Sequence, residues 1–362
     1  MRILYVITRS EIGGAQRHVL DLLNHFHHLY EIALVVGDEG YLAEEARMLG
    51  IKVWICKNLV QPIDFLEDLR AFSELRAVLK RFKPDLVHAH STKAGLIARI
   101  AAKFEGTPSI FTAHGWAFTE GTSNLNRILA APTEWFLAKI TSHIICVSEY
   151  DRKLGLRFTN KNSNCITKIH NGIEDTPLKR SSNKNEVIIV MVARFSQQKD
   201  FKSLIEAFSY LKGCRLRLVG DGPLLEEAKH LTEKLKIAHR VDFFGLRSDV
   251  TDILASSDIF ALISHYEGFP ISILEAMRSA LPVVASDVGG ISESVLHNAT
   301  GFLTNRRDSS NLKISLAKLV ADPQLRQKLG EAGRARYSQF FTLDIMVYKT
   351  RMIYEKVLQK RN

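Results

Sequence analysis

The sequence predicts an α/β protein made of two Rossmann-like, doubly wound domains. Three observations carry that reading. Short apolar runs alternate with amphipathic stretches along the whole chain. The polar segment HNGIEDTPLKRSSNKNE, at 170–186, interrupts the alternation, and a new apolar run, VIIVMVA, starts directly after it. The 362 residues suit two domains of ordinary size.

The elements follow in order. ILYVI, EIALVVG, KVWIC, DLVHAH, SIFTAH and HIICVS are the strand candidates of the first half. VIIVMVA, RLRLVG, VDFFG, IFALIS and PVVAS are those of the second. Helix candidates lie between them at 15–28, 65–82, 93–104, 202–212, 223–236 and 271–279. Alternating strands and helices imply parallel sheets covered on both faces. Such sheets bind ligands at the carboxyl ends of their strands. Asn-Gly, a proline and a basic Ser/Asn-rich run make 170–186 read as a linker. The domains are therefore expected at 1–172 and 186–344, with a ligand in the cleft between them.

Bulk properties narrow the function. The net charge of +10 favours anionic partners. Cys56, Cys146, Cys165 and Cys214 lie far apart, without C-x-x-C, and read as reduced thiols of a cytosolic protein. The apolar run in MRILYVI is too short for a signal peptide. No apolar stretch approaches the ~20 residues that span a bilayer. A soluble or peripheral protein is expected. No motif resembles those that bind RNA or DNA, so nucleic acid is not an expected partner.

SHYEGFPISILEAM, at 264–277, carries Glu267 and Glu275. On one continuous helix, eight residues turn through about 800°, so the two carboxylates diverge. Pro270 disfavours helix at Phe269 and suits the start of one. Glu267 is thus expected on a loop, and Glu275 more than a turn into the next helix. Backbone N–H groups at that helix start suit a phosphate. ARFSQQKD places Arg194 and Lys199 after the first strand of the second domain, where two cations suit a diphosphate. RSEIGGAQRHVLDLL puts Gly13 and Gly14 between a strand and a helix, where backbone approaches a ligand closely. It matches neither the dinucleotide fingerprint nor a P-loop. SIFTAHGWAF places His114 after a strand, suited to a ligand hydroxyl or to proton transfer. His88 and His90 share one face of a strand. With His114 they form a possible zinc trio that no ligand spacing supports, and no D-x-D motif is present, so no metal is expected. VGDGPLLEEA and VDFFGLRSDV are further ligand-lining candidates at the same strand edge.

Together these motifs resemble glycosyltransferase family 4, with its GT-B fold. The resemblance runs through Gly13–Gly14, TAHG at 112–115, HNGIE at 170–174, ARFSQQKD at 193–200 and VGDGPLLEE at 219–227. It continues through FFGLRSDV at 243–250, EGFPISILEAM at 267–277 and LPVVASDVGGISESV at 281–295. It implies that Arg194 and Lys199 neutralise a donor diphosphate and that Glu275 holds the ribose. It implies that Glu267 and His114 lie by the transferred sugar. Gly14 and the backbone of Gly268, Phe269, Pro270 and Ile271 would meet phosphate, and Leu246 the base. Three departures stand out: Arg278 replaces a small residue, Ala280 a glycine, and Asp200 the glycine that usually follows the lysine.

The activity so implied is retaining transfer from a nucleoside-diphosphate sugar, UDP-linked, to a glycan or polyprenyl-diphosphate-linked acceptor in surface polysaccharide synthesis. Charge stabilisation by Arg194, Lys199 and a helix terminus requires no metal or other cofactor. An epimerase or phosphorylase on the same fold is the alternative, and a non-catalytic sugar-nucleotide-binding module ranks below it. Between Arg70 and Phe104 eight Lys/Arg stand against Glu74 and Asp85, with apolar residues interleaved. This reads equally as solvated helices or as a basic amphipathic surface for anionic lipid at the inner membrane face. The last helix, 345–362, is expected on the first domain, as in GT-B enzymes.

Overall fold

A computed structural model describes residues 1–60, 64–122, 124–177 and 186–359. The chain divides into two compact units, Met1–Asn171 with Leu343–Asn362, and Gly172–Thr342.

The first unit has seven parallel strands: β1 (Arg2–Val6), β2 (Glu31–Val36), β3 (Lys52–Ile55), β4 (Leu86–His90), β5 (Ser109–Ala113), β6 (His143–Cys146) and β7 (Ile166–Lys168). Their order is β3-β2-β1-β4-β5-β6-β7. The helices are α1 (Gly14–Phe26), α2 (Tyr41–Met48), α3 (Phe65–Phe82), α4 (Thr92–Phe104), α5 (Asn124–Ile140) and α6 (Glu149–Thr159). The C-terminal helix, Leu343–Gln359, completes the unit.

Strand periodicity explains the two cores. Leu4 and Val6 pack on one face of the sheet with Leu75, Leu79 and Ile97. Ile3 and Tyr5 pack on the other with Val19, Leu23, Val347 and Val357. The C-terminal helix is held by more than apolar contact. Its Tyr354 hydroxyl lies 2.9 Å from that of Tyr5 and 2.6 Å from His88 Nδ1.

The second unit repeats the plan with six parallel strands: β8 (Val187–Val192), β9 (Cys214–Val219), β10 (Val241–Gly245), β11 (Ile259–Leu262), β12 (Val283–Ser286) and β13 (Gly301–Thr304). Their order is β10-β9-β8-β11-β12-β13. The helices are α7 (Phe201–Ser209), α8 (Leu225–Lys234), α9 (Val250–Ala255), α10 (Ile271–Arg278), α11 (Ile291–Ser294), α12 (Ser309–Ala321) and α13 (Pro323–Phe340). In both sheets the order reverses beside the first strand, between β1 and β4 and between β8 and β11. Loops leave such a point in opposite directions, which opens a crevice at the carboxyl ends.

The structure departs from the sequence reading in three places. Strands β7 and β13 and several helices lie where no element was predicted; α5 runs through Pro132. The start of the expected linker is packed structure. Ile173 bridges to Thr342, and the Glu174 carbonyl accepts from Arg278 at 2.9 Å. Residues 178–185 of that stretch lie outside the described ones.

The basic run at 70–104 also changes meaning. Lys93 is buried in an ion pair with Asp68, and Arg99 is fully buried in a two-pronged pair with Glu134, both contacts 2.8 Å. Arg76 pairs with Glu105 at 2.6 Å. These three cations hold helices together. Lys93 and Arg99 are unavailable to a lipid surface, whereas Arg76 stays partly exposed.

Candidate active site

The second unit assembles its site from the two loops that flank the β8/β11 reversal. The loop after β8 carries Arg194 and Lys199, and the loop after β11 carries Glu267. The loops are stitched together. The His265 N–H donates to the Gln198 carbonyl at 2.8 Å, and the Asp200 N–H to the Ile263 carbonyl at 2.8 Å. Lys199 and Ser264 form an antiparallel bridge between these hydrogen bonds.

This pairing brings Lys199 Nζ into an ion pair with Glu267 Oε1. Ser264 Oγ donates to the same oxygen at 2.7 Å. Gln198 Nε2 donates to Oε2 at 3.1 Å and to the Tyr266 carbonyl at 2.9 Å. Glu267 is only 6 % exposed. A carboxylate so enclosed needs such partners to remain charged. Glu267 lies on a loop, as expected, and both its oxygens have partners within the protein, so that Glu267 fixes Lys199. Arg194 lies on the same loop with an exposed side chain.

Pro270 is the N-cap of α10, one position earlier than the first helical turn, and no side chain caps the helix. Its first N–H groups need partners from outside the helix. Glu275 lies in the second turn and is half-buried. The side chains of Phe269 and Ile271 are buried, Phe269 against Phe341 at 5.3 Å between centroids. They can offer a ligand backbone only. Gly268 is buried and its carbonyl accepts from Gly290 N–H at 2.9 Å. Leu246 is 61 % exposed.

Neighbouring glycines lock both loops. At Gly289, φ is +59°, and a Cβ would stand 1.9 Å from the Glu267 carbonyl oxygen. At Gly222, φ is +148°, and a Cβ would stand 2.4 Å from the Phe195 carbonyl oxygen. Only glycine fits either position. VGDG and VGG, family signatures in the sequence, are therefore supports that press on the loops bearing Arg194 and Glu267.

The departures from the family pattern also find places. Arg278 is buried and donates to the Glu174 carbonyl and, at 3.1 Å, to Thr251 Oγ1. Ala280 adopts φ +52°, the left-handed conformation that glycine takes without cost.

In the first unit, the β1/β4 reversal faces the loop that carries Gly13 and Gly14. Gly14 is exposed, heads α1, and a Cβ there would meet nothing within 4 Å. The protein itself does not require that glycine. His114, just beyond β5, lies with Nε2 3.0 Å from His90 Nδ1. His18, on α1, packs edge-on against His114 at 4.8 Å between centroids. Its Nδ1 lies 3.0 Å from Asn171 Oδ1. Burial pushes His18 down to about 4, and His88, His90 and His114 well below the ordinary imidazole range. All four are neutral at pH 7.

The sequence-derived trio of His88, His90 and His114 is not the one assembled. His88 Nδ1 meets Tyr354 and its Nε2 lies 2.8 Å from Thr112 Oγ1, so both nitrogens are engaged. His18 takes its place. Sequence reasoning overlooked it because nothing in a helical RHVL run marks a buried imidazole.

The family Glyco_transf_4, Glycosyltransferase Family 4, matches residues 12–176, and Glycosyl transferases group 1 matches 173–336. EpsD of Bacillus subtilis, itself assigned to the glycosyltransferases, is 30% identical over 77% of this chain and 80% of its own. The chain belongs to glycosyltransferase family 4. UDP-Gal:alpha-D-GlcNAc-diphosphoundecaprenol alpha-1,3-galactosyltransferase of Escherichia coli is 29% identical to this glycosyltransferase, over 82% of this chain and 81% of that one. HepE of Anabaena, solved with UDP and glucose, superposes with a TM-score of 0.86 at 22% identity, covering 98% and 100% of the two chains. The fold of this glycosyltransferase is GT-B, with its two parallel-sheet α/β domains.

Proposed function

We propose that this glycosyltransferase moves a hexose from a UDP-sugar to a polyprenyl-diphosphate-linked saccharide, with retention at the anomeric carbon, in bacterial surface polysaccharide synthesis. One observation carries the donor assignment. The β8/β11 reversal holds Lys199 on Glu267 beside the uncapped start of α10, with Glu275 in its second turn. That arrangement offers positive charge to a diphosphate and a carboxylate to a ribose. The similarity to HepE, solved with UDP and glucose, supports UDP as the nucleotide. The similarity to the E. coli diphosphoundecaprenol galactosyltransferase supports the acceptor class.

In the proposed step the bond from the anomeric carbon to the diphosphate oxygen breaks. A bond from that carbon to the acceptor oxygen forms on the same face, and the acceptor proton passes to the departing diphosphate. Lys199 and Arg194 stabilise the charge that grows there, as does the start of α10. His114, neutral, would hydrogen-bond the sugar. Lys199 and Arg194 supply the charge that a metal supplies elsewhere, so we propose transfer without one.

The acceptor surface is proposed on the first unit. Phe65, Leu66 and Leu69 on α3 are 75, 63 and 49 % exposed, beside exposed Arg70. Ile128, Trp135 and Phe136 on α5 are also exposed. Apolar side chains with nearby cations suit an anionic bilayer surface. No described helix is long and apolar enough to cross a membrane. We place the enzyme in the cytoplasm, peripheral to the inner face.

The test is nucleoside diphosphate release by the purified chain across a panel of UDP-, GDP- and ADP-sugars, with and without undecaprenyl-diphosphate-GlcNAc and with and without EDTA. Acceptor-dependent release from one UDP-sugar, surviving EDTA, is expected. Release from a GDP- or ADP-sugar alone overturns the donor, and loss with EDTA overturns metal-free transfer. Salt-sensitive flotation with anionic vesicles tests the surface; its absence removes the membrane from the proposal.

A further inference from the structure

We propose that His18, His90 and His114 form a binding site in the first unit for one borderline divalent cation of the zinc, cobalt or nickel type. One ring nitrogen from each lies within 4.8 Å of the other two. The three come from separate elements, α1, the end of β4 and the turn after β5, so the sheet's crossover gathers them. A metal–imidazole bond of ~2.0–2.1 Å puts ligand nitrogens roughly 3.4 Å apart in a tetrahedral site. Small ring rotations close that gap, with the His90–His114 hydrogen bond exchanged for two bonds to the ion.

The surroundings fit ligation. Asn171 Oδ1 accepts from His18 Nδ1–H, which leaves the lone pair on Nε2; such outer partners orient metal-bound imidazoles. His90 Nε2 is buried with no hydrogen-bond partner among the described residues, and its Nδ1 lies 3.0 Å from His114 Nε2, the contact that an ion would replace. Burial already holds the rings in the neutral, ligating form. The trio contains no carboxylate, which disfavours magnesium and calcium. His114 is partly exposed where His18 and His90 are buried, which leaves an ion a route in. An ion there takes the His114 nitrogen that the proposed function gives to the donor sugar, so it inhibits; that consequence alone rests on the functional reading.

The experiment titrates the chelator-stripped full chain with Co²⁺ and Zn²⁺ in the absence of donor and acceptor. One ion per chain is expected, with Co²⁺ absorption of low-symmetry, four-coordinate type. His18→Gln and His90→Gln should each weaken binding about tenfold or more, and Asn171→Ala by about 10–100-fold. The double variant His27→Gln/His28→Gln should bind normally; those neighbouring rings, 3.6 Å apart between centroids, are the rival surface site. No stoichiometric ion on the wild type, or loss of binding in the His27/His28 variant, overturns the proposal. Should the His18 or His90 variants fail to fold, zinc-edge absorption of the wild type decides, with three imidazoles expected and fewer overturning the site. Because binding is read without substrates, a chain that transfers no sugar from UDP leaves the result intact.

Discussion

Lys199 and Glu267 form an ion pair that the protein itself completes. The carboxylate takes Lys199 and Ser264 on one oxygen and Gln198 on the other. The lysine is therefore held at one point of the β8/β11 crevice before any donor arrives. If the pair works as one unit, its members are not additive. Lys199→Ala should lower kcat by about 10²–10³-fold, the cost of one transition-state donor. Glu267→Ala should cost a similar factor, because it releases the lysine. The double variant should be little worse than either single. Steady-state rates with the accepted donor test this. Multiplying losses would show that Glu267 acts on the substrate independently.

Buried charge in the first unit makes a separate prediction about stability. Arg99 is fully buried, reaches Glu134 by two 2.8 Å contacts, donates to the Gly95 carbonyl at 2.6 Å and lies 4.1 Å over the Phe111 ring. Arg99→Met alone strands the Glu134 carboxylate and should cost about 3–5 kcal/mol. Adding Glu134→Leu should return most of that loss, since an apolar pair replaces a desolvated one. Urea unfolding of the two variants measures the difference. Equal stability of single and double would show that the stranded Glu134 carboxylate is not the source of the loss.

The same residue shows where the sequence could and could not be read. Every predicted strand exists; β4, β5, β6, β11 and β12 are buried along their whole length, and such strands leave an apolar run that needs no context. The sequence motifs led to Lys199 and Glu267 as expected site residues, yet not to their pairing. Sixty-eight positions in sequence separate them, and the β8/β11 adjacency brings them together. Arg99 read as surface charge because its partner Glu134 lies on α5, a helix interrupted by Pro132 that periodicity did not reveal. His18 stayed hidden for a similar reason: its environment is made by β4, β5 and Asn171, all remote in sequence.

Thiol chemistry should follow burial. Burial raises Cys56 to about 12, with Glu74 adding to the effect; it raises Cys214 to about 11 and Cys146 well above the ordinary thiol. All four cysteines are free, and only Cys165 is partly exposed. At pH 8 the thiolate fraction of Cys56 or Cys214 is about one part in a thousand or less. Iodoacetamide at that pH should label Cys165 alone, and all four only after unfolding. Peptide mapping by mass spectrometry reads the pattern. Labelling of Cys56 at the rate of Cys165 would show that the first core opens readily.

Gly289 offers the sharpest separation of site geometry from stability. Its φ of +59° makes any side chain costly, about 1–2 kcal/mol in the left-handed region. Gly213 has φ +68° and so carries the same backbone cost, but a Cβ there would meet nothing within 4 Å. At Gly289 the Cβ would stand 1.9 Å from the Glu267 carbonyl oxygen, and backbone cannot yield as a flexible side chain does. Gly289→Ala must therefore displace the loop that carries Glu267, and with it Lys199. A displacement of about 1 Å at a reacting centre costs about 10²-fold in rate. Gly213→Ala should lose stability with kcat unchanged. Gly289→Ala should lose stability and kcat together, by about that factor. Parallel melts and rate measurements on the two variants decide the matter: equal kcat would show that the glycine loop does not position the pair.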